Sequence, residues 1–422
     1  QSTQANAQLA FSVASAVYVN GDGYAAVLVD SSAAADGSEG QGVAFVYFGS
    51  ASLFGSPSPA VLQSNQANAQ LGFSVASAGD VNGDGYADVL VGAPYYDNGS
   101  ADEGAAFVYL GGPGIFDTTN DGLMESNQQS AQMGFSVAGA GDVNGDGFSD
   151  VIVGARYYDL PLFNAGAAMI YLGGPGIFST TWDALLSADQ ASAQAGYSVA
   201  GAGDINGDGY ADVVVGSPFF ERPGNPVNEG GIFIYLGGDG PFDSSSDSQF
   251  HGGQINANLG WSVAGAGDVN GDGFADLILG LPNYDSGQVD EGVASILLGN
   301  GKGRVVSVEQ HRGDASLPVQ PWGLSHRVDG FVAVQWATSP RGRESVRLQL
   351  EACPSGVAFG APTCTRFTRA YWTELVANSS GGLLPLSAPG LDANSVHHWR
   401  ARVQSAPLTI NLAGITAPPN PA

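Results

Sequence analysis

Charge is scarce in this chain, and positive charge most of all: Asp, Glu, Lys and Arg make up 13% of 422 residues, 40 of them acidic and 13 basic, for a formal net charge of −27. A surface so poor in cations repels phosphate backbones and anionic headgroups, which argues against nucleic acid and membrane surfaces as partners. No stretch approaches the ~18 consecutive apolar residues of a membrane span, so membrane insertion is not expected. Five histidines show no spacing and no acidic partner of a nucleophile arrangement, His311, His397 and His398 included, and no catalytic site is expected. The chain opens at Gln1 without a charged-then-apolar leader, which reads as a mature or trimmed product.

Glycine is abundant instead, 63 of 422 residues. With so little charge, that composition excludes helix bundles and coiled coils, and the length calls for two domains or one large repeat array. A repeat array is what the sequence contains. The segment from Gln66 to Tyr96 recurs five times, with loop cores beginning at Tyr18, Asp80, Asp142, Asp204 and Asp268. Within a unit, Phe73–Ala78, Ala87–Pro94 and Ala105–Gly111 are strand-like runs rich in Val, Phe and Tyr, and a weaker fourth run lies near Val61–Ser64. Four short strands per unit of about sixty residues predict the blades of a β-propeller; the coils of a β-solenoid are usually much shorter.

The chemistry sits between the first two strands of units two to five. Unit two carries Asp80, Asn82, Asp84, Tyr86 and Asp88; unit three carries Asp142, Asn144, Asp146, Phe148 and Asp150. Unit four carries Asp204, Asn206, Asp208, Tyr210 and Asp212; unit five carries Asp268, Asn270, Asp272, Phe274 and Asp276. Side-chain oxygens fall at positions 1, 3, 5 and 9 of each loop, and the position 7 residue offers its carbonyl. Calcium takes six to eight such hard oxygen ligands, whereas thiolate- or imidazole-seeking metals do not. Gly85, Gly147, Gly209 and Gly273 at position 6 permit the sharp turn. An EF-hand shares the opening but needs a carboxylate at position 12, where Val91, Val153, Val215 and Leu279 stand here. Metal-free Asx turns account for one copy, but poorly for four with the same spacing. Four calcium sites are therefore predicted.

On these loops, on Leu71–Ala76, Met133–Ala138, Ala195–Ala200 and Leu259–Ala264, and on Val91–Pro94 with its variants, the array resembles FG-GAP repeats. These are the calcium-binding blades of integrin α-subunit propellers and of exported bacterial proteins. The resemblance implies structural calcium at one face of a propeller, and adhesion or ligand binding in place of catalysis. Unit one departs from it: Tyr18 and Ala26 replace the first and last aspartates, leaving Asn20 and Asp22, so no calcium is expected there. Family propellers usually have seven blades against five visible units, which leaves three solutions. The five blades close on themselves, or the last 119 residues supply two more, or another chain completes the ring. Gln1–Gln8 repeats an inter-blade sequence and is a candidate for the outer edge of the last blade or of a neighbour's.

At about Arg304 the composition changes: ten of the 13 basic residues lie from there on, against seven of the 40 acidic ones. Runs at Phe331–Trp336, Val346–Ala352 and His397–Val403 indicate a small antiparallel β-domain. Leu386–Val403 resembles fibronectin type III-like modules, with His397 where their corner tyrosine is expected. The expected organisation is a propeller over 1–303, a fibronectin type III-like β-sandwich over 304–415 and an extended tail over 416–422. Trp322, Trp336, Trp372 and Trp399 are read as core more than as a sugar-stacking platform. Cys353 and Cys364 enclose a ten-residue loop that a disulfide would staple in an exported protein. Arg312–Asp314 spells a tripeptide recognised by animal integrins, but at a junction where turn residues belong anyway.

The leading expectation is an exported, extracellular or cell-surface, calcium-stabilised protein that binds a protein or glycan ligand. The alternative is a structural subunit: an acidic array and a net-basic tail are complementary, and a head-to-tail contact that does not close makes a homo-oligomeric filament. An enzyme stands last.

Overall fold

The computed structural model describes residues 7–16, 19–22, 24–34, 39–50, 58–176, 178–222, 227–270, 274–299, 309–311, 330–337, 344–354, 362–370, 373–375, 382–391 and 397–405. The expectations on Tyr18, on Asp272 and Gly273, on Arg312–Asp314, on Trp322 and Trp372, and on the tail from 416 lie outside these residues. No helix occurs among the described residues, and the all-β expectation holds. The chain forms two compact units, the first made mainly of residues up to Leu298 and the second mainly of residues from Gly299.

The first unit is a succession of five antiparallel sheets. The first sheet holds β1 (Leu9–Ala16), β2 (Ala26–Ser31), β3 (Val43–Tyr47) and β4 (Ala60–Gln63); the second holds β5 (Ser74–Gly79), β6 (Asp88–Ala93), β7 (Ala105–Tyr109) and β8 (Gly122–Glu125). The third holds β9 (Met133–Gly141), β10 (Asp150–Ala155), β11 (Ala167–Tyr171) and β12 (Ala184–Leu186), and the fourth β13 (Ser198–Gly203), β14 (Asp212–Ser217), β15 (Gly231–Tyr235) and β16 (Ser248–His251). The fifth has three described strands, β17 (Ser262–Gly267), β18 (Asp276–Leu281) and β19 (Val293–Leu297). Strand order within each sheet follows the sequence. This up-and-down arrangement is that of propeller blades.

Why the middle strands run apolar after their opening aspartate follows from the stacking of one sheet on the next. β6 is buried at every residue. Its alternating side chains divide between two interfaces: Val89 and Val91 join Leu28, Ala44 and Val46 of the first sheet, while Leu90 joins Val151 and Val153 of the third. A period of two therefore appears as an unbroken apolar run, because both faces are covered. Each such Val or Leu contributes about 1.5–3 kcal/mol of burial.

The glycines of the two motif words meet across that interface. A Cβ on Gly92 would lie 2.0 Å from the carbonyl oxygen of Gly134, and one on Gly154 would lie 2.1 Å from that of Gly196. Backbone thus approaches backbone where any side chain would hold the sheets apart. The serine after the motif aromatic adds a bond between innermost strands: the Val75 amide donates to Ser12 Oγ at 3.1 Å, Val137 to Ser74 at 3.0 Å and Val199 to Ser136 at 3.0 Å. The aromatics themselves form a row, with centroids 5.0 Å apart for Phe11 and Phe73, 4.8 Å for Phe73 and Phe135, 5.0 Å for Phe135 and Tyr197, and 4.9 Å for Tyr197 and Trp261.

The two terminal faces of the row differ from the internal ones. Val13 is 61% exposed where Val75 is 5% exposed, and Ile296 is 55% exposed where Ile234 is 4% exposed. Of Gln1–Gln8, only Ala7 and Gln8 are described. The Ala7 carbonyl accepts from the Ser31 hydroxyl at 2.8 Å, as Ala193 accepts from Ser217 at 2.7 Å, so this part of the segment serves its own sheet.

The second unit contains β20 (Glu309–His311), β21 (Gly330–Ala337), β22 (Glu344–Pro354), β23 (Thr365–Thr368), β24 (Thr373–Leu375), β25 (Gly382–Pro389) and β26 (His397–Ser405). β21 pairs with β20 and β25, and β22 with β23, β24 and β26. Phe331, Ala333, Leu348, Leu350, Leu384 and Leu386 from the two sheets share one core. A disulfide joins Cys353 to Cys364, and Arg366 pairs with Glu351 at 3.0 Å.

Candidate metal centre

Each predicted loop leaves the first strand of its sheet and returns as the second. In the second sheet, Asp80 holds the turn from its start: its carboxylate accepts the Gly83 amide at 2.7 Å, the Asp84 amide at 3.1 Å and the Gly85 amide at 2.9 Å. Asn82 Oδ1 accepts the Asp84 amide at 3.0 Å, Asn82 Nδ2 donates to Asp84 at 3.1 Å, and the Tyr86 amide donates to Asp84 at 3.0 Å. Gly85 has φ of +89°, yet a Cβ there would meet nothing within 4 Å. Its glycine is thus required by backbone conformation, and the space beside it is open.

The loop from Asp142 to Asp150 repeats the arrangement. Asp142 accepts from Gly145 at 2.6 Å and Gly147 at 2.9 Å, and Asp146 accepts from Asn144 Nδ2 at 2.9 Å and from the Phe148 amide at 3.0 Å. In the fourth sheet, Asp204 accepts from Gly209 at 2.9 Å, and Asn206 Nδ2 donates to Asp208 at 2.9 Å. In the fifth, Asp276 accepts the Val269 amide at 2.8 Å, while Asp272 is outside the described residues.

The position 9 aspartate is a different kind of group. Asp88, Asp150, Asp212 and Asp276 are completely buried. Asp88 accepts the Val81 amide at 2.8 Å and the Gly111 amide at 2.7 Å, tying the loop to the end of the third strand. Asp150 does the same with Val143 at 2.7 Å and Gly173 at 2.8 Å. Burial pushes the Asp88 and Asp150 carboxyls up to about 7; the amides oppose this, and the neighbouring loop aspartates add to it.

Not all of the predicted ligands gather. Among the described residues, the one group of three acidic, His or Cys side chains with ligand atoms within 4.8 Å of one another is Glu351, Cys353 and Cys364, whose sulfurs are joined to each other. Asp80, Asp84 and Asp88 therefore do not all lie within that distance of one another, and Asp88 accepts from the backbone. The donor set nonetheless fits calcium: oxygen atoms only, open space at position 6, and a buried carboxylate whose charge the neighbouring aspartates oppose. Asp80, Asn82, Asp84 and the Tyr86 carbonyl would hold the ion at the open side, with Asp88 behind them.

The loops are also linked to one another, which the motif alone did not reveal. The Asp80 carbonyl accepts the Ser149 amide of the next loop at 2.9 Å, and the Asp142 carbonyl accepts that of Ala211 at 2.9 Å. The Val19, Val81 and Val143 carbonyls each accept a glycine amide of the following sheet, from Gly112, Gly174 and Gly238, at 2.9 Å. Among its described residues the first loop keeps Asn20 Nδ2 donating to Asp22 at 2.9 Å, the Asp22 amide donating to Asn20 Oδ1 at 3.3 Å and the Tyr24 amide donating to Asp22 at 2.8 Å.

The geometry agrees with comparison to known proteins. The family model described as FG-GAP repeat matches residues 71–109, 133–172, 195–235 and 259–297, which fall on units two to five. Integrin alpha-5 of Xenopus laevis is 30% identical over 230 residues, 52% of this chain and 21% of that protein. Integrin alpha-IIb of Mus musculus is 36% identical over 168 residues, 37% of this chain and 15% of that protein. Integrin alpha-6 of Homo sapiens is 35% identical over 147 residues, 35% of this chain and 12% of that protein. The chain thus spans about a fifth or less of the length of these relatives.

Proposed function

Because this chain is an integrin-α-like FG-GAP repeat protein, we propose that it is an exported, non-catalytic adhesion or ligand-binding protein of the cell surface or extracellular space, braced by calcium in four loops. The proposed organisation is a propeller over 1–303, a fibronectin type III-like sandwich over 304–415 and a tail from 416. The observation that carries this reading is the repetition of one oxygen-lined loop at the same corner of consecutive sheets, each tied to the next through backbone bonds such as Asp80 to Ser149. Calcium in these loops would fix the edge from which a rigid scaffold presents its connections to a protein or glycan. The test is binding of the purified protein to panels of glycans and surface proteins in calcium and in EGTA. Saturable, calcium-dependent binding is expected, and no binding to either panel would contradict the ligand-binding reading.

A second reading, a subunit of an extracellular filament, is favoured by the apolar terminal faces of the sheet row, where Phe11 and Val13 are 61% exposed and Ile296 is 55% exposed. The acidic array and net-basic remainder add attraction between copies. Electron microscopy across a salt series tests it: filaments that shorten as salt rises are expected on this reading, and single particles at every salt concentration contradict it.

A further inference from the structure

The loop joining the second and third strands places one pocket at the same point of the first four sheets, while in the fifth the matching Glu291 is exposed, and comparing the buried copies singles out the second. In the fourth sheet the pocket holds a buried acid with its own cation. Glu229 is completely buried, and Arg222 donates Nε to its Oε1 at 2.8 Å and Nη2 to its Oε2 at 2.8 Å. His251, opposite Gly231 in the ladder, stacks on Phe220 beside them. In the third sheet the acid is replaced by Ala165, and Leu160 stands in the place of Arg222. In the first sheet the pocket holds the neutral Gln41. Each of these copies is balanced in charge.

The second sheet is not. Glu103 takes the place of Glu229 and is 1% exposed. Asn98 takes the place of Arg222, and Glu125, opposite Ala105, takes that of His251. The Asn98 amide donates to Glu103 Oε1 at 2.5 Å, and Asn98 Nδ2 donates to Glu125, so one residue holds both acids. Glu103 Oε2 is buried and has no hydrogen-bond partner. Two carboxylates thus converge where a sister blade pairs one carboxylate with a guanidinium, and a buried unpartnered oxygen marks the gap.

We propose that Glu103 and Glu125 form a further cation site, which takes a calcium ion where the fourth sheet uses Arg222. Carboxylate oxygens select a hard cation, and a divalent one neutralises the pair. Tyr96 lies within reach of the same charges: its hydroxyl is pushed up first by burial, then by Glu125 and Glu103. With Glu125 half-buried and Asn98 exposed, the site opens to solvent, and water completes the coordination.

The experiment transplants the fourth sheet's solution into the second. Calcium binding is measured by titration calorimetry on the whole chain and on the N98R/E125H variant, with folding checked by circular dichroism. The variant is expected to bind one ion fewer and to melt no lower than the parent in EGTA, since the introduced guanidinium would supply Glu103 with its missing partner. Unchanged stoichiometry in a folded variant overturns the proposal. If the variant does not fold, crystals of the parent soaked in manganese decide: an anomalous peak beside Glu103 Oε2 upholds the site, and its absence while other sites are filled overturns it. The same crystals report the Asp80–Asp88 loop separately, so failure of either site is read independently of the other.

Discussion

The first and second sheets are built on the same strands and the same pairing, but they differ at the residue that opens the second strand. Asp88 is completely buried with its carboxyl pushed up to about 7, and Ala26 occupies the matching place in the first sheet at 2% exposure. The first sheet still pairs β1 with β2 and β2 with β3. A blade therefore does not need the aspartate in order to form. At this position burial opposes the charge of Asp88 and Asp150, whereas the first sheet places an alanine there and buries a different carboxylate, Asp30, which accepts the Ser12 and Ser32 amides. For a carboxylate behind an oxygen-lined loop, a cation in the loop is the physical reason that fits.

Removing the ion should collapse that difference, and this is the largest expected effect. At free calcium about 100-fold above Kd, each site adds ~2.7 kcal/mol. Four sites shift the melting temperature of a unit of this size by about 15–20 °C. Scanning calorimetry in calcium and then in EGTA checks this; equal curves after verified metal removal would sink the structural role.

The comparison is sharpened next by giving the first sheet what it lacks. The Y18D/A26D variant should bind one more calcium than the parent. In EGTA it should be destabilised by about 2–4 kcal/mol, the penalty of a buried, uncompensated carboxylate. Denaturant melts with and without calcium separate the two effects, and a variant equally stable in both would contradict the role assigned to position 9.

Smaller effects are expected along the aromatic row. Tyr197 contacts both Phe135 and Trp261, and Tyr197→Leu should cost about 1 kcal/mol without changing calcium stoichiometry. A large loss of calcium binding would mean that the row and the loops are coupled.

The smallest concerns pH. Arg222 holds the Glu229 carboxyl below its usual range, chiefly through their hydrogen bonds. A depressed folded-state value contributes stability above the ordinary range of a glutamate, and that stability is lost as pH falls through the folded value. Arg222→Met should flatten this acid limb of the stability curve, as read by melting from pH 5 down to pH 2. An unaltered limb would show that the pair carries no linkage.

Much of this was legible in the sequence because repetition amplifies weak signals. Val89–Val91 alone does not distinguish a strand from a buried helical turn; in several register-matched copies between glycines it does. The loop oxygens were legible because their spacing is local. Two features were not. The orientation of Asp88 toward the Val81 and Gly111 amides depends on a residue 23 positions away, just past the third strand, which spacing within the loop does not encode. The pocket of Glu103, Asn98 and Glu125 joins residues from two hairpins, and it became visible only when the register put Glu125 opposite Ala105.

The central claim is best tested by a crystal structure of the whole chain grown in calcium and read by anomalous scattering. The account predicts a calcium peak in each of the loops at Asp80–Asp88, Asp142–Asp150, Asp204–Asp212 and Asp268–Asp276, and none between Asn20 and Asp22. Saturating calcium with no peak among those four loops would contradict it.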